Sequence, residues 1–189
     1  FFIWRCRLIQ PDNFTVDIYL SNDTLQESAG AVAWKLVNLN ASTEASGEFT
    51  ARIAANASAK VKTLDVSRAV QQAGGARSVV LYYSYIVDGS EISANASYFT
   101  RPKHMKLQKP VYQTKLRQSG GREFELAVRA DKPAFWVWPD IKGVKAQYSD
   151  RFFDLDGQSE KTIVVTTRED ITADALRRKL ALYSIVDTY

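Results

Sequence analysis

The sequence is poor in the residues on which most catalytic and metal sites depend. Its 189 residues contain one cysteine, one histidine and one methionine. A single cysteine excludes an intrachain disulfide, and a single histidine excludes a site with several histidine ligands. That histidine, His104, lies in a basic connector, where a lone exposed imidazole is not expected to act. Since no glycine-rich phosphate loop is present either, we expect no catalytic residue, cofactor or metal.

Long hydrophobic runs and a strong overall charge are also lacking. No apolar run approaches the roughly 18 residues of a membrane helix, so no membrane partner is expected. The net charge is +4. It arises in the connector RPKHMKLQK, residues 101–109, which holds four of the 25 basic residues and no acid, so the other 21 balance the 21 acids. A nucleic-acid binder spreads basic residues over a face among stacking aromatics, so nucleic acid is excluded as a partner.

Short segments with alternating apolar residues, separated by turn residues, fill the chain on both sides of the connector. This pattern is typical of antiparallel β-sandwiches. Six strands are predicted before the connector, at 14–20, 31–38, 47–53, 59–64, 78–87 and 91–100. Six more are predicted after it, at 111–117, 122–130, 135–138, 144–147, 161–167 and 181–185. Little helix is expected: one turn at most within 66–73, and Thr172–Lys179 with Thr172 as the N-cap.

The connector also carries two prolines, Pro102 and Pro110, which fix extended backbone and cannot donate to a ladder. We therefore predict an all-β protein of two tandem β-sandwich domains, residues 1–102 and 111–189, joined by a basic linker at 103–110. The chain opens on FFIWRC without a methionine, as expected of a fragment or a mature product.

The stretch PAFWVWPD, residues 133–140, places two of the four tryptophans two residues apart. Strand alternation puts Trp136 and Trp138 on one face and Phe135 and Val137 on the other, so both pairs cannot face one core. An exposed Trp136 would serve as a sugar-stacking platform or as a contact with a neighbouring domain. Trp34 is the second candidate for a carbohydrate contact.

Five of the six asparagines stand in N-x-[ST] motifs, at Asn13, Asn22, Asn40, Asn56 and Asn95. Such motifs accept N-linked sugars in secreted eukaryotic proteins. Asn, Ser and Thr also gather in turns, and we favour this structural interpretation.

The C-terminal third carries a set of motifs that resembles a known family. AFWVWPDI, YSDRFFDL and YSIVDTY resemble the C-terminal immunoglobulin-like domain of β-mannosidases of glycoside hydrolase family two. The matching residues are Val137, Trp138, Asp140, Tyr148, Ser149, Asp150, Phe153, Ser184, Asp187 and Tyr189. Arg151 departs from the asparagine that is usual in the family. The first half resembles the preceding immunoglobulin-like domain more weakly, at 20–23, 55–58 and 95–103.

The resemblance implies two tandem immunoglobulin-like domains without catalytic machinery, in which Trp138, Asp140, Ser149, Asp150, Phe153, Asp187 and Tyr189 are structural. It also implies a parent enzyme that removes terminal β-D-mannose with retention, using an upstream TIM barrel as the partner of this region. A periplasmic, secreted or lysosome-like location is expected rather than the cytoplasm.

Three alternatives stay open: a stand-alone carbohydrate-binding module that uses exposed Trp or Tyr to bind an oligosaccharide, an adhesion pair, and a sister glycosidase acting on glucosaminides or galactosides.

Overall fold

The computed structural model describes the backbone of residues 2–6 and 13–188 and the side chains of residues 13–188. Tyr189, which the family resemblance singles out, therefore lies outside the described residues. The chain divides into two compact units, residues 1–106 and 107–189.

In its described residues, the first unit contains seven strands and one short α-helix. Its elements are β1 (Phe2–Cys6), β2 (Thr15–Asn22), β3 (Ser28–Asn38), β4 (Thr43–Ile53), β5 (Ala57–Asp65), α1 (Ser67–Gln72), β6 (Val79–Val87) and β7 (Ser90–Tyr98). They form a three-stranded sheet in the order β1-β2-β5 and a four-stranded sheet in the order β4-β3-β6-β7. All pairs are antiparallel.

Alternation along the strands of the first unit supplies its core. In β2 every second side chain is buried, including Val16, Ile18 and Leu20. In β6 no side chain is exposed and Tyr85 is fully enclosed, as expected of a central strand with apolar residues on both faces. Residues of both sheets meet in one apolar cluster, which is the arrangement of a β-sandwich.

The second unit repeats this plan with its own core. Its elements are β8 (Tyr112–Gln118), β9 (Glu123–Ala130), β10 (Pro133–Ile141), β11 (Ala146–Tyr148), β12 (Phe153–Asp156), β13 (Lys161–Thr167), α2 (Ala173–Lys179) and β14 (Leu180–Tyr183), followed by a 3-10 helix (Ile185–Thr188). The sheets have the orders β12-β10-β14 and β11-β13-β9-β8. Phe124, Leu126, Val137, Ile163 and Val165 lie in the apolar cluster between them.

The residues of the predicted linker make contacts within one unit or the other. A 3-10 helix spans Pro102–His104, and the backbone N–H of Lys106 donates to the carbonyl of Arg77 in the first unit. In the second unit, Lys109 Nζ lies 2.8 Å from Asp187 Oδ1. The extent of the linker stays a prediction.

Three local expectations need correction. β1 and β12 were not among the predicted strands, and α1 has six residues, which is more than one turn. β10 also extends beyond the predicted 135–138 to include the prolines at both ends of PAFWVWPD. Pro133 is the first residue of that strand, a position that proline tolerates.

Candidate functional site

The candidate site begins on the outer face of the sheet β12-β10-β14. Along β10, Phe135 and Val137 are fully buried, whereas Trp136 is 44% exposed and Trp138 is half-buried. The predicted alternation is therefore confirmed. The two tryptophans point away from the core that Val137 helps to form.

Trp136 lies at an irregularity in the strand. The pairing of β10 with β12 shifts register between Ala134, opposite Leu155, and Val137, opposite Phe153. Trp136 has φ 53°, in the left-handed region that a bulky residue rarely adopts. Its backbone N–H donates to Asp154 Oδ1 at 2.9 Å. This hydrogen bond fixes the bulge and presents the indole outward.

Trp138 lies among two further aromatic rings. It stacks on Tyr183, its cross-strand partner in β14, with centroids 5.3 Å apart and an interplanar angle of 25°. The Phe152 ring lies 5.8 Å from it, tilted by 38°. Phe152 is 60% exposed and has φ 60°. We call Trp136, Trp138, Phe152 and Tyr183 the aromatic face.

A cleft of about 420 Å³ is lined in part by Asp140 of the same strand, β10. We call its polar lining residues the polar cleft: Asp140, Lys145, Gln147, Tyr148, Arg151 and Arg168. Asp140 shares the outer side of β10 with Trp138, because the two are two residues apart. Arg151 of the cleft directly precedes Phe152 of the aromatic face in the chain.

Charge dominates the polar cleft. The Arg151 guanidinium lies over the Tyr148 ring, 4.7 Å from its centroid, which is a cation–π contact. Burial raises the pKa of the Tyr148 phenol; the charge of Arg151 and a hydrogen bond to the Ile141 backbone lower it, but burial and the Asp140 carboxylate together outweigh them. Tyr148 is therefore a neutral hydrogen-bonding group at neutral pH.

Comparison with known families identifies the two units. A model of the mannosidase Ig/CBM-like domain matches residues 15–104, and a model of an Ig-fold domain of mannosidases matches residues 107–188. The chain belongs to these mannosidase immunoglobulin-like families. The predicted fold of two tandem immunoglobulin-like domains is thereby confirmed.

Solved structures share the fold of this mannosidase-type tandem. The β-D-mannosidase from Dictyoglomus thermophilum matches with a TM-score of 0.77 and 17% identity, over 90% of this chain and 20% of that one. The exo-chitosanase from Amycolatopsis orientalis matches with a TM-score of 0.61 and 12% identity, over 92% of this chain and 25% of that one. The tandem thus spans a fifth to a quarter of these chains. No curated protein sequence matches it.

The family-matching residues of the tandem lie in different local settings. Ser149 Oγ accepts the backbone N–H of Val164 at 2.9 Å, and Asp150 Oδ2 lies 2.7 Å from Lys161 Nζ. Phe153 is buried in the core. Asp187 Oδ2 accepts the backbone N–H of Ser184 at 2.9 Å. Each contact joins a loop or terminus to the rest of its unit. These contacts agree with a structural role for the residues, which stays our prediction.

Trp34 does not join the candidate site, because it belongs to β3 in the first unit. It is half-buried and packs against the core of that unit. A Cβ placed on Gly47, its cross-strand partner, would lie 2.9 Å from the indole Nε1. The ring therefore lies across Gly47 and fills the space a side chain would take.

Sequence analysis missed Phe152, Tyr183, Asp154 and the cations of the polar cleft as members of the site. The pair Phe152-Phe153 could have indicated an exposed ring, because only one of two adjacent strand residues can face a core. The partnership of Trp138 with Tyr183 joins residues 45 positions apart and has no local signal.

The described residues show neither a metal-binding cluster nor a membrane-spanning helix. Within residues 13–188 no group of three or more His, Cys, Asp or Glu side chains is placed to hold a metal ion. None of the helices in the described residues has the length and apolar character needed to span a membrane.

Proposed function

We propose that this tandem is the non-catalytic C-terminal accessory region of a glycoside hydrolase of family two. The parent enzyme would hydrolyse terminal β-D-mannose residues with retention of configuration. The accessory region would pack on an upstream TIM-barrel domain and stabilise it.

One observation carries the proposal: the two mannosidase-type domain models follow each other directly, at residues 15–104 and 107–188, and leave little of the chain unassigned. The fold likeness to a β-D-mannosidase over 90% of this chain supports it. Retaining hydrolysis needs two carboxyl groups about 5 Å apart across the glycosidic bond. In this proposal the upstream barrel supplies both.

Hydrolysis assays test the proposal directly. The complete polypeptide that carries this tandem and the 189-residue chain are each mixed with 4-nitrophenyl β-D-mannoside, β-D-glucosaminide and β-D-galactoside. We expect the complete polypeptide to favour the mannoside and to release the β-anomer first in a proton NMR time course. The chain alone should release no nitrophenol.

The possible contrary results separate the parts of the proposal. Turnover by the 189-residue chain would contradict its non-catalytic role. Preference for the glucosaminide or the galactoside would contradict the mannosidase assignment and favour a sister glycosidase. First release of the α-anomer would contradict retention.

A further inference from the structure

We propose that the aromatic face and the polar cleft together form a binding site for an acidic oligosaccharide. Pyranose rings would stack on Trp136 and Phe152, and a carboxylate or sulfate group of the sugar would enter the polar cleft. This site lies on the second unit and does not depend on the activity proposed for a parent enzyme.

The exposed rings of the aromatic face supply the stacking surface. Trp136 and Phe152 are 44% and 60% exposed, and both adopt positive φ. Large exposed apolar groups rimmed by polar residues mark binding surfaces, and left-handed backbone at bulky residues concentrates at ligand sites. The C–H face of a pyranose is flat and apolar, so it is complementary to such rings.

The inner rings of the aromatic face support one of its exposed rings. Trp138 contacts both Tyr183 and Phe152, with centroid distances of 5.3 and 5.8 Å. The Asp154 hydrogen bond fixes the backbone of Trp136. A surface ordered before binding loses less conformational entropy when the ligand arrives.

The polar cleft determines the charge of the ligand. Lys145, Arg151 and Arg168 line it with a single acid, Asp140. None of these three cations forms an ion pair with residues 13–188. All three cations would attract an anionic group, and an arginine guanidinium can donate two parallel hydrogen bonds to a carboxylate or sulfate.

The size of the cleft suits a small ligand. Its volume of about 420 Å³ falls within the range of roughly 300–1,000 Å³ typical of small-molecule sites. Asp140 and Gln147 add acceptors for sugar hydroxyls.

The spacing of the two parts fits a short oligosaccharide. Trp138 and Asp140 are two residues apart on one side of β10, which is about 7 Å along a strand. Trp136 lies a further two residues back, beyond the bulge. A chain of two or three sugars would therefore reach from the exposed indole to the cleft.

Isothermal titration calorimetry of the 189-residue chain tests the proposal. The ligands are trigalacturonate, a sulfated chondroitin tetrasaccharide and the neutral mannotriose, each at 20 and 300 mM salt. We expect saturable binding of at least one acidic sugar, at least tenfold tighter than mannotriose at low salt. Raising the salt should narrow that difference, because ions screen the cations of the exposed cleft.

Matched variants locate the site. Trp136→Ala should weaken acidic-sugar binding at least tenfold, whereas Val111→Ala, at another exposed apolar residue of the same unit, should not. The double variant Lys145→Gln, Arg168→Gln should bring acidic and neutral sugars to equal affinity. Arg178→Gln, which removes an exposed cation from α2, should leave the difference intact.

Three results would overturn the proposal. The first is the absence of heat with either acidic sugar at millimolar concentration, which would leave the aromatic face as a protein contact. The second is equal binding of acidic and neutral sugars. The third is an equal loss of affinity in Val111→Ala and Trp136→Ala. The hydrolysis assays are separate, so failure here leaves the proposed accessory role untouched.

Discussion

The side-chain amide of Asn22 holds together the turn between β2 and β3. Its Nδ2 donates to the carbonyls of Gln26 at 2.7 Å and Ala54 at 3.1 Å, and its Oδ1 accepts from the N–H and hydroxyl of Thr24 at 3.0 and 2.7 Å. The residue is completely buried. An N-x-[ST] motif at this position therefore serves the fold, and its amide is not available to carry a sugar.

Asn22→Ala should be strongly destabilising. It removes four part-buried hydrogen bonds that hold the turn, and since each contributes roughly 0.5–1.5 kcal/mol, the cost is about 2–3 kcal/mol. Urea unfolding of the 189-residue chain, followed by fluorescence, measures the loss. Asn95→Ala, at an exposed asparagine of β7 with the same motif, is the matched control and should change stability little. Equal effects of the two substitutions would contradict this role.

Trp136 shows backbone strain at a single residue. Because its φ of 53° favours glycine, Trp136→Gly should be more stable than Trp136→Ala by about 0.5–1 kcal/mol. At Thr162, an exposed residue of β13, the alanine variant should instead be more stable than the glycine variant, because extended strand backbone disfavours glycine. Urea midpoints of the four variants test this. A higher midpoint for Trp136→Ala than for Trp136→Gly would show that the left-handed conformation is not retained.

The packing of Trp34 against the neighbouring strand requires a residue without a side chain at Gly47. A Cβ on Gly47 would lie 2.9 Å from Trp34 Nε1 and 3.0 Å from two ring carbons. Gly47→Ala should displace the indole, lower the free energy of unfolding by about 1–2 kcal/mol, and alter the near-ultraviolet circular dichroism of tryptophan. Gly121→Ala provides the control, because no atom lies within 4 Å of its added Cβ. An unchanged spectrum for Gly47→Ala would contradict the close contact.

The final 3-10 helix, Ile185–Thr188, is fixed by Asp187. Burial raises the pKa of the Asp187 carboxyl, but the hydrogen bond and charge of Lys109 and the N–H of Ser184 outweigh it, so the pKa lies below its ordinary value. A carboxyl with a lowered folded pKa stabilises the protein above its unfolded pKa of about 3.9 and loses this contribution as the pH falls through the folded pKa.

Asp187→Asn should therefore lower the thermal midpoint at pH 7, and the difference from the original chain should shrink as the pH falls below about 4. Thermal scans from pH 2.5 to 7 measure both effects. Glu169→Gln, at an exposed acid of the same unit, should give parallel curves. A constant deficit for Asp187→Asn across this range would show that its ionised form contributes nothing.

Elements with strong local signals could be predicted from the sequence. β13 was predicted to the residue, because Lys161–Thr167 alternates cleanly between turn residues. α2 was predicted from Thr172, whose Oγ1 accepts the N–H of Ala175 at 3.3 Å. In contrast, β12 has the sequence FDLD before a glycine, which is typical of a turn. Its strand character depends on long-range pairing with β10.

The candidate site was only partly predictable for the same reason. Alternation correctly separated Trp136 and Trp138 from Phe135 and Val137. The bulge at Trp136 depends on the register of a distant strand, and the polar cleft gathers residues 140–151 with Arg168. Neither arrangement leaves a pattern in one stretch of sequence.

The whole molecule has two separate apolar cores, each formed by one continuous part of the sequence. Each unit has a three-stranded and a four-stranded sheet and its own apolar cluster. The basic excess of the chain falls between them. We propose that residues 103–110 are the linker between the domains, and that the bond after Lys106 is its weakest point toward proteases.

Limited trypsin digestion tests this linker. Lys106 is exposed and is the last residue of the first unit. Trypsin does not cut after Arg101 or Lys109, because a proline follows each, and Lys103 is protected within the 3-10 helix Pro102–His104. The first cut should therefore fall after Lys106 and give fragments 1–106 and 107–189, identified by mass spectrometry. Lys106→Gln should slow this cut, and Lys60→Gln, at an exposed lysine of β5, should not. A first cut inside either unit would instead place the least protected backbone within a sandwich and contradict the linker.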